Sequence, residues 1–185
     1  MNIVLIGMRG SGKTAVGKVL SQKLGRELVE TDELVVARAG MSIPQIVAEH
    51  GWDKFRDIEA EVVTELAGRD NLIIATGGGV VTHPENLTIL KKNGLLIWLT
   101  AGIDTLVQRV GDDYLRPPLI EGKSRREEME TIFAERRKLY KQSADINVDT
   151  EDRTPEEVVE AIIYIIVLQA DSIINLLCMR GEEDD

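Results

Sequence analysis

Short apolar runs alternate along this chain with longer segments whose apolar residues recur every three or four positions. Asn2-Ile3-Val4-Leu5-Ile6 is the first run, rich in β-branched residues as a buried strand should be. From Ala15 to Leu24, Val16, Val19, Leu20 and Leu24 share one stripe, which predicts a helix. Arg26 to Asp32 reads as a short strand leading into a polar turn. On an extended chain Glu30 and Asp32 face the same side, at the strand end where open α/β sheets hold ligands, although this stretch taken alone favours a pair of solvated loop acids. Glu33 to Ala39 is helical in pattern and stops at Gly40. Met41-Ser42-Ile43-Pro44 looks like a helix start with Ser42 as cap. A further helix, about Trp52 to Gly68, carries Phe55, Ile58, Val62, Val63 and Leu66 on its apolar side. Arg56 and Glu59 are close enough on it to pair, and such pairs are usually surface decoration.

The second half repeats the alternation. Asn71 to Thr76 is a strand, and Gly77-Gly78-Gly79 follows it. Three consecutive glycines are costly in chain entropy, which suggests that a ligand lies against bare backbone there. His83-Pro84-Glu85 starts a helix that ends at Asn93-Gly94, and Leu95 to Thr100 is a fourth strand. Gly102 to Val110 is helical, and residues 111–119 form a proline-containing surface loop that carries Arg116. Ser124 to Ala144 is a long charged helix with Arg136, Arg137, Leu139 and Tyr140. Ala144 to Asp149 alternates like an edge strand, and Thr154-Pro155 opens a terminal helix. Strands alternating with helices throughout predict an α/β fold, with a five-stranded parallel sheet in a single domain over residues 1–185.

Between the first strand and first helix stands Gly7-Met8-Arg9-Gly10-Ser11-Gly12-Lys13-Thr14, a complete G-x-x-x-x-G-K-[ST] phosphate-binding loop. Its glycines let backbone amides approach phosphate oxygens, and the helix N-terminus adds partial positive charge. Lys13 can bridge the outer phosphates and the Thr14 hydroxyl can ligate magnesium. With a strand before it and a helix after it, the motif predicts nucleotide binding.

Composition narrows the surroundings. At 185 residues and 43% apolar, the chain is large enough for its own core. The net charge of −10 argues against a nucleic-acid partner, and much of the acidity lies after Asp149, including Glu182-Glu183-Asp184-Asp185. One cysteine, Cys178, allows neither an intramolecular disulfide nor a multi-cysteine metal cage. Met1 runs straight into the first strand without a basic, then apolar, leader, and the apolar run Ala161 to Leu168 is too short for a bilayer. These features predict a soluble cytoplasmic protein with no membrane partner. His50 and His83 are too isolated to form a metal site; Trp52 and Trp98 are expected in the core.

Taken in order, the phosphate loop, Glu30-Thr31-Asp32, Phe55-Arg56 with Glu59, Thr76-Gly77-Gly78-Gly79, Leu115-Arg116-Pro117-Pro118-Leu119 and Arg136 followed by Leu139-Tyr140 resemble the shikimate kinase family. The likeness covers roughly residues 1–165. It implies a three-layer α/β/α P-loop NTPase fold of the nucleoside-monophosphate-kinase type, with a lid at about 111–123 and a substrate-binding segment at about 31–60. It also implies transfer of the ATP γ-phosphoryl group to the 3-hydroxyl of shikimate, with Mg²⁺, by a protein expected to be monomeric. Gly10, Ser11, Gly12, Lys13, Thr14 and Ala15 resemble the phosphate site, and Arg109, Arg153 and Pro155 the positions flanking adenine. Asp32 matches the acid on the ring hydroxyls, Arg56 and Arg136 the carboxylate clamp, and Gly77, Gly78 and Gly79 the backbone receiving the ring. Arg116 matches the lid arginine, so Lys13, Asp32 and Arg116 form the implied catalytic set. Thr14 and Glu30 are the implied metal positions.

Two features depart from the family pattern. Glu30 stands where aspartate is usual, which keeps the charge but moves the carboxylate outward by one methylene. Apolar residues also continue through Ile173, Ile174, Leu176 and Leu177, giving a helical tail over about 166–185 that serves either as a longer packed helix or as an oligomer contact. A truncation near Ala170 that leaves the mass in solution unchanged rules out the contact. Another small-molecule kinase of this fold, gluconate-type or nucleotide-specific, and a nucleotide-binding protein without catalysis are the competing readings.

Overall fold

The computed structural model describes residues 1–111, 118–120 and 122–180, and side chains as far as Leu168. Arg116, most of the implied lid, the acidic end at 182–185 and the side chains of the apolar tail, Cys178 among them, lie outside the described residues.

Five strands form one parallel sheet in the order β2-β3-β1-β4-β5, with β1 (Asn2–Ile6), β2 (Glu27–Glu30), β3 (Leu72–Ala75), β4 (Gly94–Thr100) and β5 (Ile146–Asp149). Because successive residues of a strand face opposite sides, β1 divides its apolar residues between two cores. Val4 and Ile6 join one core with Leu72, Ile74, Leu96 and Trp98; Ile3 and Leu5 join the other with Ile73, Ile97 and Leu99. The second core is closed by α1 (Lys13–Leu24) through Val16 and Leu20, and by α7 (Pro155–Arg180) through Val158, Val159 and Ile162. The first is closed by α2 (Thr31–Ala39), α3 (Ile43–Ala67), α4 (Pro84–Lys91), α5 (Ile103–Val110) and α6 (Arg125–Ser143). Both faces of the central strands are therefore covered, as their near-continuous apolar runs require. The expected α/β/α layering and five-stranded sheet are present.

Local differences have local causes. The strand expected to reach Asp32 ends at Glu30, because Thr31 and Asp32 already form the first turn of α2. Glu30 and Asp32 are thus neighbours across a strand-to-helix turn and do not alternate along one strand. Gly94 is not a helix stop but the first residue of β4, where a Cβ would meet the Leu90 carbonyl at 2.6 Å and Val4 Cγ2 at 2.8 Å. A short helical turn at Val80–Thr82, absent from the sequence pattern, follows the glycines. The two helices expected around residues 43 and 52 run end to end as α3, broken at Gly51 with φ 79° and ψ 171°. Ser42 caps the first of them in a reciprocal pair with Gln45. None of the described helices is long and apolar enough to cross a membrane.

Candidate active site

The loop between β1 and α1 floors a cleft of about 860 Å³ at the C-terminal edge of the sheet. Gly10, Gly12, Lys13, Thr14 and Ala15 line it together with Glu30, Asp32 and Arg109. Gly10 has φ 81°, and a Cβ there would lie 2.7 Å from the Leu106 carbonyl oxygen, so only glycine lets the loop turn against α5. Lys13 curls back over the loop and donates to the carbonyls of Gly7 at 2.9 Å and Met8 at 2.8 Å. Its ammonium is thereby held against the backbone of the loop that floors the cleft. Ser11, by contrast, is fully buried beneath the loop.

Arg109 at the end of α5 donates to Thr150 Oγ1 at 2.9 Å and to the Thr150 carbonyl at 2.7 Å. This fastens α5 to the turn between β5 and α7. Glu151 of that turn accepts from the Gly102 amide at 2.6 Å and from the Thr105 hydroxyl, and these bonds hold its carboxyl below the usual range. Arg153 and Pro155 sit on the same turn and at the start of α7, outside the lining of the cleft. Of the three positions expected to flank adenine, only Arg109 borders the cleft.

Thr14 Oγ1 donates to Glu30 Oε2 at 2.6 Å. Among the described residues no group of three His, Cys, Asp or Glu side chains is placed to hold a metal. Two hard oxygen donors side by side nevertheless suit Mg²⁺, which takes one or two protein oxygens and completes its octahedron with phosphates and water.

A second cleft, of about 570 Å³, adjoins the first. Asp32, Arg56, Gly77, Gly78, Gly79 and Arg136 all line it, so every acceptor-side residue expected from sequence converges here. The Arg56–Glu59 pair is not surface decoration. Its N–O distance is 2.6 Å, Glu59 is completely buried and the Arg56 side chain is only 15% exposed. Burial pushes the Glu59 carboxyl up, while Arg56 pulls it back. Phe55 and Trp52 flank the guanidinium, with ring centroids 5.0 and 5.8 Å from Cζ. Trp52 is thus a half-buried wall of the cleft, whereas Trp98 sits in the core as expected and stacks on Tyr140.

The triple glycine has a cause that the sequence did not reveal. A Cβ on Gly79 would lie 2.0 Å from Arg56 Nη2, and one on Gly77 would lie 2.6 Å from Asp32 Oδ1 and 2.8 Å from Glu59 Oε1. The space these glycines leave is filled by the protein's own charged groups. Gly78 contributes its carbonyl, which accepts from Arg136 Nη1 at 3.0 Å and from the Tyr140 hydroxyl at 2.5 Å. The Gly77 amide donates to Thr31 Oγ1 at 2.8 Å and ties the start of α2 to the glycine strip.

Two residues border both clefts: Asp32, which the sequence singled out, and Arg9, which it did not. Sequence reasoning also missed Glu59 as a buried partner and Tyr140 as a support for Gly78. A cation in the variable stretch of the phosphate loop was the available signal for Arg9. Nothing local announced the burial of Glu59.

The geometry thus joins a phosphate cradle to an arginine-walled cleft across one acid, and comparison with known proteins agrees. A family profile described as shikimate kinase matches residues 9–167. The shikimate kinase of Symbiobacterium thermophilum is 45% identical over 163 residues, covering 88% of this chain and 94% of that protein. The solved structure of shikimate kinase from Acinetobacter baumannii in complex with shikimate superposes with a TM-score of 0.87 at 32% identity, covering 91% of this chain and 93% of that one. A gluconokinase from Sinorhizobium meliloti shares the fold alone, with a TM-score of 0.58 at 13% identity over 95% of this chain and 96% of its own. The chain belongs to the shikimate kinase family.

Proposed function

We propose that the two adjoining clefts hold ATP and shikimate, with the acceptor hydroxyl presented to the γ-phosphoryl group at Asp32. The reaction is ATP-dependent phosphorylation of the 3-hydroxyl of shikimate. The observation that carries the site assignment is the shared wall: Asp32 borders both clefts, so a hydroxyl held by it faces the phosphate loop.

In the reaction the acceptor oxygen bonds to the γ-phosphorus as the bond to the bridging oxygen breaks, and ADP leaves with that bonding pair. Asp32 orients the hydroxyl and receives its proton. Lys13 exchanges the Gly7 and Met8 carbonyls for phosphate oxygens and follows the charge as it moves toward the leaving group. Thr14 and Glu30 are the protein oxygens that would hold Mg²⁺, which when bound would neutralise phosphate charge. Arg56 and Arg136 grip the acceptor carboxylate, since each planar guanidinium offers parallel donors matched to two oxygens. Glu59 keeps Arg56 extended along the glycine strip. Arg109 flanks the base with Arg153 and Pro155, and Arg116 closes over the phosphates from a lid at about 111–123. One domain with its acceptor-binding segment at about 31–60, acting as a monomer in the cytoplasm, completes the reading.

The experiment is a coupled assay of ADP release with shikimate, with gluconate and with a shikimate analogue lacking the carboxylate. Turnover with shikimate and a large loss with the analogue are expected. Equal rates with and without the carboxylate would dismiss the arginine clamp, and a preference for gluconate would replace the acceptor.

A further inference from the structure

Arg9 occupies a variable position of the phosphate loop, yet its side chain is only 17% exposed and lines both clefts. Its guanidinium lies 3.8 Å from Glu128, a carboxylate on α6 that is only 7% exposed. Glu128 is anchored independently, because its Oε1 accepts from the Leu119 amide at 2.7 Å. Leu119 in turn lines the acceptor cleft. One buried acid thus links α6, the wall at Leu119 and a cation at the boundary between the clefts.

A separation of 3.8 Å is longer than a tight guanidinium–carboxylate hydrogen bond, which falls near 2.7–2.9 Å. Glu128 therefore orients the cation by charge without clamping it. Only the phosphoryl group must cross the boundary that Arg9 borders, and that group carries negative charge on its equatorial oxygens throughout. We propose that Arg9 is a catalytic residue, contacting the phosphoryl group as it passes between the clefts, and that Glu128 is the positioning residue that sets its guanidinium there. This rests on the assignment of the clefts to ATP and acceptor. Arg9 exchanges no proton; the bond made, the bond broken and the proton's transfer to Asp32 are those already described.

The test uses the full chain and four variants: Arg9→Met, Arg9→Lys, Glu128→Gln and Arg9→Met with Glu128→Gln. Magnesium complexes of ADP and of adenylyl imidodiphosphate, which differ by the terminal phosphoryl group, are titrated by calorimetry. Arg9→Met is expected to weaken the imidodiphosphate complex about tenfold and ADP less than about twofold. In turnover it is expected to lower kcat about 10- to 100-fold, with the KM for shikimate within about threefold and partial recovery in Arg9→Lys. Glu128→Gln keeps an acceptor for the Leu119 amide but loses the charge. It is expected to lower kcat about 3- to 10-fold, with no added loss in the double variant.

Equal weakening of the two nucleotides by Arg9→Met, or a lowered melting temperature with unchanged kcat, would overturn the catalytic role. A Glu128→Gln effect that persists undiminished in the double variant would overturn the positioning role. Should Arg9→Met fail to fold, Arg9→Lys and Glu128→Gln carry the same comparison of nucleotides, and no selective loss in either defeats the proposal. Absence of shikimate-dependent ADP release from the unaltered chain would instead defeat the acceptor assignment, and the two nucleotide titrations would still decide whether Arg9 reads the terminal phosphoryl group.

Discussion

Replacing Gly79 with alanine isolates the seat of Arg56. Gly79 has φ −94° and ψ −3°, angles that alanine adopts without strain, so the backbone has no reason to move. The new methyl carbon would stand 2.0 Å from Arg56 Nη2 and 2.4 Å from both Cζ and Nη1. To regain ordinary contact the guanidinium must retreat by roughly 1.4 Å. That displacement stretches the 2.6 Å bond to Glu59 beyond hydrogen-bonding range and lifts the cation away from the Phe55 and Trp52 rings. It also leaves the buried Glu59 carboxylate poorly compensated. A charge-assisted hydrogen bond contributes about 1.5–3 kcal/mol, and part of this returns if water follows the arginine outward. We expect a net destabilisation of about 1–2 kcal/mol, which for a chain of this size lowers Tm by about 2–8 °C. If Arg56 grips the acceptor carboxylate as proposed, the displaced guanidinium loses that alignment too, so the shikimate KM should rise about 10- to 100-fold while the ATP KM stays within about twofold. Differential scanning fluorimetry and initial rates at saturating ATP measure both quantities. Adding Arg56→Ala to Gly79→Ala should cost little further in acceptor affinity, because both changes vacate the same contact. A Gly79→Ala protein with wild-type Tm and wild-type acceptor KM would refute the reasoning, since the arginine would then have an equally good place elsewhere.

Lys13→Ala removes both the ammonium and the bonds to the Gly7 and Met8 carbonyls; kcat should fall by about 10²-fold or more in steady-state assays, and retained turnover would dismiss its charge-following role. Glu30→Asp withdraws the carboxylate from Thr14 Oγ1, now 2.6 Å away, so the ratio of Mg²⁺- to Mn²⁺-supported rates should change; identical ratios in variant and wild type would argue against a metal role for Glu30. Burial pushes the Tyr140 phenol up to about 12 from an unfolded value of 10.0. The neutral phenol is shared by both states below the unfolded value, so its contribution is intact there and is lost as pH rises from 10 toward 12, by roughly 3 kcal/mol in all. Ultraviolet titration of phenolate should show a component near 12 that Tyr140→Phe removes, and the same substitution should flatten the alkaline loss of stability.

The sheet and its helices were legible because buried strands and amphipathic helices each leave a periodic trace, and the phosphate loop because its glycines are set by local geometry. Arg56, Gly77–Gly79, Asp32 and Arg136 were identified one segment at a time and meet in one cleft. What escaped was relational. Glu59 follows Arg56 at ordinary helical spacing, and only the packing of α3 against the glycine strip removes it from water. The glycines looked like a floor for a ligand, yet two of them make way for side chains from α2 and α3, which no single segment could disclose. Glu30-Thr31-Asp32 suits an extended end as well as a helix start, and the Thr31 bond to the Gly77 amide goes with the helical alternative. Arg9 and Glu128 are 119 positions apart and belong together only through the fold.

The break at Gly51 divides the wall of the second cleft, the proposed acceptor site, into parts with unequal freedom to change. Trp52, Phe55, Arg56 and Glu59 stand on the rod after the break, which is rooted in the core by Val62, Val63 and Leu66. Ile43 stands on the shorter rod before it, secured by the Ser42–Gln45 cap and by Ile46. A redesign of acceptor shape can therefore be confined to residues 42–50, leaving the charged wall in register with the phosphate loop. In this sense the chain is modular within a single helix: one rod holds the electrostatics and the other can be tailored to the outline of the guest.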